Sequence, residues 1–408
     1  MELTTIIAQN IMRLLEEKNL TQGELSSFLD ISRQTLSNYL KGSSTIDSVR
    51  LVKTAQFFGV PVSELLETST PAHAPMLLRS VVKSHDPIDS VESKVFEYLE
   101  RYAQLANTSQ PTTKFLPEQH DLYFNYKDSM VSINYDLPKV PPIKYRIDDQ
   151  LRSEIFSIAD YQRRLLGLND SGAIELIPAI IQRGIKLFFL DFKSTNIFGL
   201  SICDNTFGCC IFVNNNPNVP IERQLFTVAH EYAHIILHRP LFSPENSAPL
   251  SVQYSEFIDK MADTFAGRLL CPPDLIRPYA KYFDSPDATL KSIFLFAVRL
   301  KKKLHISLSS LLVSLNQNGM LNKAIVSEYY RWATTMGYRE KEPVPISEDK
   351  PLREYFEHIR DQHIIEVLRK IHEDAPVSAD AIAYFLDCDM EKARSVLKDI
   401  SNDFSDFV

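Results

Sequence analysis

Residues 230 to 234 read His-Glu-Tyr-Ala-His, inside the mostly apolar stretch IERQLFTVAHEYAHIILHR at 221 to 239. On a helix, positions i and i+4 share a face, so His230 and His234 can turn both imidazoles to one metal ion. Glu231, beside the first histidine, can then reach a metal-bound water and take its proton. Leu225, Phe226, Val228, Ala229, Ile235, Ile236 and Leu237 mark a buried helix rather than a surface one. The chemistry such a set does is metal-assisted hydrolysis. Without a third ligand, the same letters describe two core histidines on an ordinary helix.

A third ligand has candidates some 25 residues on. EFIDKMADTFAGRLLCP, residues 256 to 272, predicts an amphipathic helix ended by Pro272 and Pro273. Asp259 and Asp263 are four apart and Glu256 lies one turn earlier, so three carboxylates share a face. A zinc peptidase needs a third protein ligand and an open fourth position. An acidic stripe with no metal beside it is a solvated face.

Together, ERQLFTVAHEYAHIILH and the following D-x-x-A-D-x-F-A-x-x-L-L-x-P resemble the ImmA/IrrE family of zinc metallopeptidases. FGLSICDNTFGCCIFVNNN (198 to 216) and HISLSSLLVSLNQNGML (305 to 321) extend the resemblance, which spans roughly residues 150 to 335. It implies zinc on His230, His234 and Asp259, at a position where the family usually carries Glu. Glu256, one turn away, is the alternative ligand. It also implies an endopeptidase with a repressor-like protein as substrate.

His238 extends the histidine pattern but sits ~12 Å along a continuous helix from His230. That places it at the negative end of the helix dipole rather than on the metal. Arg223 and Arg239 read as structural helix-end residues. The electrophilic helper is unassigned: Tyr232 falls on the far side of the helix from His230, and nothing supports Tyr254.

The elements that must position these groups follow from pattern. Helices are expected at about 148 to 166, 172 to 183, 286 to 303 and 307 to 317, with strands at 185 to 192, 199 to 203 and 208 to 213. This is a zincin-like α+β plan, in which a sheet edge beside the zinc could hold an extended substrate by strand addition. The basic run VRLKKKLH, 298 to 305, reads as a solvated face rather than a nucleic-acid contact, and Trp332 as packing.

Residues 1 to 68 predict five short helices. Thr21 and Glu24 form a capping box, Leu29-Asp30-Ile31 is a turn, and Gly42 and Gly59 close helices. The set resembles the lambda repressor/Cro-like (XRE) helix-turn-helix domain. Matched to that pattern, Arg33, Gln34, Thr35 and Asn38 read base edges of operator DNA, and Gln22 and Lys41 touch phosphate. In this segment six Lys/Arg face eight Asp/Glu, so phosphate binding is expected to be modest and salt-sensitive.

The fold class is therefore α+β multidomain: a helix-turn-helix domain (1–68), a linker and connector helix (69–147), a metallopeptidase domain (148–336) and a small helical, winged-helix-like domain (345–408). The connector helix at 88 to 107 carries an apolar stripe for packing or a homodimer contact, and 108 to 145 is expected to be extended. With 408 residues, 44% hydrophobic and 24% charged, the chain is long enough for several cores. It shows no run of 18 apolar residues and no signal-peptide pattern, so no membrane role and a cytoplasmic location are expected. Five cysteines without C-x-x-C spacing read as free thiols. A net charge of −8 confines any DNA contact to a local surface. Two alternatives use the same residues: a non-cleaving regulator whose peptidase-like domain senses a ligand or partner, and a toxin-antitoxin or phage-defence component.

Overall fold

The computed structural model describes residues 7, 8, 10–12, 14, 15, 18, 20–40, 46–60, 62, 65, 76–80, 88–106, 117–126, 129–137, 145–204, 208–242, 251–283, 289–335, 341–374, 376–386 and 388–402. The chain falls into two compact units, Met1–His73 and Ala74–Val408.

In the first unit the described helices are α1 (Gln22–Phe28), α2 (Arg33–Leu40) and α3 (Ser48–Phe58). The α1 start is the expected capping box: Thr21 accepts from the Glu24 amide and Glu24 accepts from the Thr21 amide at 2.7 Å. Asp30 takes the left-handed conformation in the turn between α1 and α2, with φ 54°, which a short polar side chain tolerates. Gly59 does the same after α3, with φ 66°. Leu25, Leu29, Leu36, Leu40, Ala55 and Phe58 pack with Ile11, Leu14 and Leu15 into one core.

The second unit is built on a four-stranded sheet of order β1-β5-β6-β4. Its strands are β1 (Met76–Ser80), β4 (Lys186–Leu190), β5 (Ile197–Asp204) and β6 (Gly208–Asn214). A separate hairpin joins β2 (Tyr123–Tyr126) and β3 (Ser129–Ser132). The helices in chain order are α4 (Ile88–Ala106), α5 (Asp149–Leu165), α6 (Leu176–Gln182), α7 (Ile221–Leu237), α8 (Val252–Leu270), α9 (Pro273–Ile276), α10 (Leu290–Leu304), α11 (Leu308–Gln317), α12 (Lys323–Thr335), α13 (Lys350–Asp374), α14 (Ala379–Leu386) and α15 (Met390–Asn402). Among the described residues, no helix is long and apolar enough to cross a membrane.

Every residue of β6 is buried, because both faces of the sheet are covered. Leu187, Ile211 and Val213 share one core with α7, α8 and α5. Phe188, Leu200, Ile202 and Phe212 share another with α4 and the C-terminal helices. The α4 stripe Val91, Val95, Tyr98, Leu99, Tyr102 and Leu105 lies in this second core, with Tyr98 against Phe188, Phe212 and Phe385.

Segments without clear sequence periodicity turn out to brace α7. The hairpin of β2 and β3 lies where an extended segment was expected. The amide of His120 donates to the Ile236 carbonyl at 3.2 Å and Asn134 donates to the Leu237 carbonyl at 2.9 Å, so the last carbonyls of α7 are satisfied. The Tyr254 hydroxyl donates to the Ile133 carbonyl. At the other end of α7, Glu222 accepts from Lys301 Nζ at 2.8 Å and from the Ile346 amide at 2.8 Å. Lys301 also reaches Glu342 at 3.0 Å, and neither Lys301 nor Glu222 has any exposed side-chain surface. Burial raises the Glu342 pKa against the pull of Lys301.

Two expectations are corrected. The basic run is a solvated face only in part: Arg299, Lys302 and Lys303 are exposed, with Lys302 paired to Asp349 at 2.7 Å and Lys303 reaching the Tyr279 hydroxyl at 2.6 Å, but Lys301 is buried. Nor are all five cysteines thiols, because Cys203 and Cys209 form a disulfide. They are direct cross-strand partners in the antiparallel pair of β5 and β6, so the strand register brings them together. Trp332 stacks on Phe294, as its packing role requires.

Candidate functional site

Helix α7 is buried on nearly every side, and α8 lies against it with Asp259 and Asp263 facing its histidines. Ser251 caps α8, which starts a turn earlier than its sequence suggests. His230 Nε2 and His234 Nε2 stand 3.0 Å apart, and Asp259 Oδ1 is 3.5 Å from His234 Nε2. His230, His234 and Asp259 have ligand atoms within 4.8 Å of one another, and they are the one such metal-compatible group among the described residues. Glu256 is outside it, with a mostly exposed carboxylate 3.9 Å from Lys260.

The outward nitrogens of both rings are engaged. Asp263 lies 2.8 Å from His230 Nδ1, and an ionised carboxylate only accepts, so it fixes the proton of a neutral His230 on Nδ1 and leaves the lone pair on Nε2. His238 Nδ1 is 3.1 Å from His234 Nδ1. Burial first, then the two neighbouring imidazoles, push the His238 pKa well below its ordinary value, so its ring is neutral and can accept from His234. In that tautomer two Nε2 lone pairs and a carboxylate oxygen converge on one point. Two imidazoles and a carboxylate are a donor set that suits zinc, and a cation between them turns lone-pair repulsion into coordination. The residues fit the ion.

Glu231 is fully buried, and its Oε2 accepts from Ser201 Oγ on β5 at 2.9 Å. Close packing of β5 on α7 needs Gly199. A Cβ there would stand 2.4 Å from Thr227 Cγ2, 2.8 Å from the Phe212 carbonyl and 3.4 Å from Glu231 Cγ. Ser201 and His238 were not singled out for these contacts by sequence reasoning. The signal was present for Ser201, which lies in the family-like FGLSIC stretch, but its strand partner on α7 was not legible.

Tyr232 donates to Gln162 at 2.7 Å, and Tyr254 is committed to the Ile133 carbonyl. Arg223 stacks over Phe198 and Arg239 donates to the Pro117 carbonyl at 2.9 Å. All four are occupied by packing contacts.

In the first unit Arg33 and Gln34 are exposed at the start of α2, with Thr35 and Asn38 half-buried behind them. Gln34 donates to Asn38 across one turn at 3.2 Å, and Thr35 bonds Ser32 Oγ at 2.8 Å. Gln22 is exposed in the first turn of α1. Lys41 lies outside the described residues.

Comparison with protein families finds a helix-turn-helix match over residues 11–65 and an IrrE N-terminal-like domain, a peptidase family, over residues 181–316. The chain is a fusion of the two. No curated protein matches it. The IrrE-like match takes in β5, β6, the His230–His234 pair and α8, while the helix-turn-helix match takes in all of α1, α2 and α3. The protein is thus a DNA-binding regulator with an IrrE-like peptidase domain.

Proposed function

We propose that the IrrE-like domain is a zinc endopeptidase, hydrolysing a peptide bond in a repressor-like protein, and that the helix-turn-helix reads an operator in the cytoplasm. The observation that carries it is the convergence of His230, His234 and Asp259 beside a buried glutamate. Bound zinc supplies Lewis acidity and lowers the pKa of water to about 7. Glu231 takes the proton of the attacking water and passes it to the leaving amine, held in place by Ser201. Asp263 and His238 orient the two imidazoles, the part that partners of metal-bound histidines play.

Zinc content of the purified, reconstituted and dialysed chain tests the site. Wild type is expected to retain about one zinc per chain. Asp259→Ala is expected to lose most of it under the same dialysis, and Glu256→Ala to match wild type. Zinc that is indifferent to Asp259 would remove the three-ligand site and favour the non-cleaving regulator.

Operator reading is tested on the other unit. Arg33 stands where an arginine bonds guanine in the major groove, so Arg33→Ala is expected to weaken binding to the chain's own selected DNA site by about 1–3 kcal/mol and to relax preference at one base. Equal losses on selected and random DNA would make Arg33 a phosphate contact instead.

A further inference from the structure

The outer edge of β5 is not open. β1 pairs along it antiparallel, with Met76 opposite Ile202, Leu77 opposite Ser201, Leu78 opposite Leu200 and Arg79 opposite Gly199. Ser201 and Gly199 are the β5 residues that meet Glu231, one by a hydrogen bond and the other by close packing. The β1 backbone also comes within 8 Å of α7. β1 therefore runs along β5 at the level of Glu231, as an extended chain paired in regular register from Met76 to Arg79, with a shift before Ser80.

An extended polypeptide that adds to a sheet edge is a general mode of peptide recognition. At this edge the occupant is the chain itself, and a second polypeptide cannot pair with β5 until β1 leaves. β1 also begins at the boundary between the two units, Met1–His73 and Ala74–Val408. A cut within it separates the helix-turn-helix from the peptidase domain.

We infer that β1 is a substrate of the chain's own active site and that hydrolysis falls between Met76 and Ser80. The inference rests on reading His230, Glu231, His234 and Asp259 as a peptidase centre. The step needs only water: one C–N bond breaks, hydroxyl joins the acyl carbon to give a new carboxylate, and the proton goes to the new amine. The product is a DNA-binding fragment released from the catalytic unit, so a single cleavage ends the coupling between operator and peptidase.

The test uses the full chain in two forms. In Glu231→Gln, which holds the uncut chain, hydrogen exchange of peptides covering 76–80 and 197–202 is expected to be slow; exchange of 76–80 at the rate of an unstructured peptide would overturn the placement. Wild type stripped by chelator and given zinc is then followed by intact mass. Two fragments are expected, their masses summing to the chain plus one water, with new termini inside 76–80. The rate constant should be unchanged on dilution, and Glu231→Gln should run at under about one hundredth of it.

Fragments ending elsewhere, or a rate that falls with dilution, overturn the inference. An intact chain that cuts a quenched-fluorescent peptide library does so too, while leaving the peptidase reading standing. If Leu78→Pro then speeds library cleavage, β1 is an inhibitory strap rather than a substrate. An intact chain that binds zinc and cuts nothing removes the peptidase reading itself.

Discussion

Glu231→Gln is expected to lower kcat by about 10²–10⁴-fold on a quenched-fluorescent peptide library while leaving zinc content and the folded state unchanged. The expectation comes from what glutamine keeps and what it loses. It keeps the volume of a fully buried side chain and an oxygen that can accept from Ser201 Oγ. It loses the ability to take a proton, and that is the role proposed for Glu231. Ser201→Ala provides the graded companion. Glutamate remains, one of its oxygens loses its hydroxyl donor, and kcat should fall by less than in Glu231→Gln with KM little changed. Library cleavage by Glu231→Gln at the wild-type rate would sink the mechanism.

The parts of this site that the sequence announced are those fixed by helical spacing. His230, Glu231 and His234 lie within one and a quarter turns, and Asp259 and Asp263 are one turn apart on a single helix, so i and i+4 arithmetic alone groups them. The metal helix and the three strands that follow Gly184 were legible for the same reason, since period and turn residues are local. Contacts between elements were not. Ser201 meets Glu231 across 30 residues, and Asn134 meets Leu237 across 103. The Cys203–Cys209 bond is set by a strand register that no spacing rule states. β1 is five residues, MLLRS, without the alternation of a half-buried strand, and its identity comes from its partner β5. The choice between Asp259 and Glu256 also needed three dimensions, because both lie on the acidic stripe of one helix and only packing of α8 on α7 separates them.

Lys301 was hidden most completely, inside a run of lysines that reads as surface, and it carries the largest expected effect on stability. Its ammonium is shared between Glu222 on the first turn of α7 and Glu342 just before α13. Replacing it by methionine fills the volume and leaves two buried carboxylates with no counter-charge. Breaking a buried pair this way costs about 3–5 kcal/mol, against a typical surface value near zero to about 1. Urea denaturation of Lys301→Met at neutral pH should show that loss. The pH dependence gives an independent check. Burial already raises the Glu342 pKa, and removal of Lys301 raises it further. A carboxylate whose folded pKa is raised contributes stability below its unfolded pKa, about 4.3 for glutamate, and loses it as pH rises through the folded value. The deficit of Lys301→Met should therefore shrink as pH falls toward that range and be greatest at neutral pH. Adding Glu222→Gln and Glu342→Gln to the same chain removes the stranded charges and should recover much of the loss, because the amides still accept from the Ile346 and Leu308 amides. A neutral-pH loss under about 1 kcal/mol for Lys301→Met would mean that water reaches the cluster and that the pair behaves as a surface one.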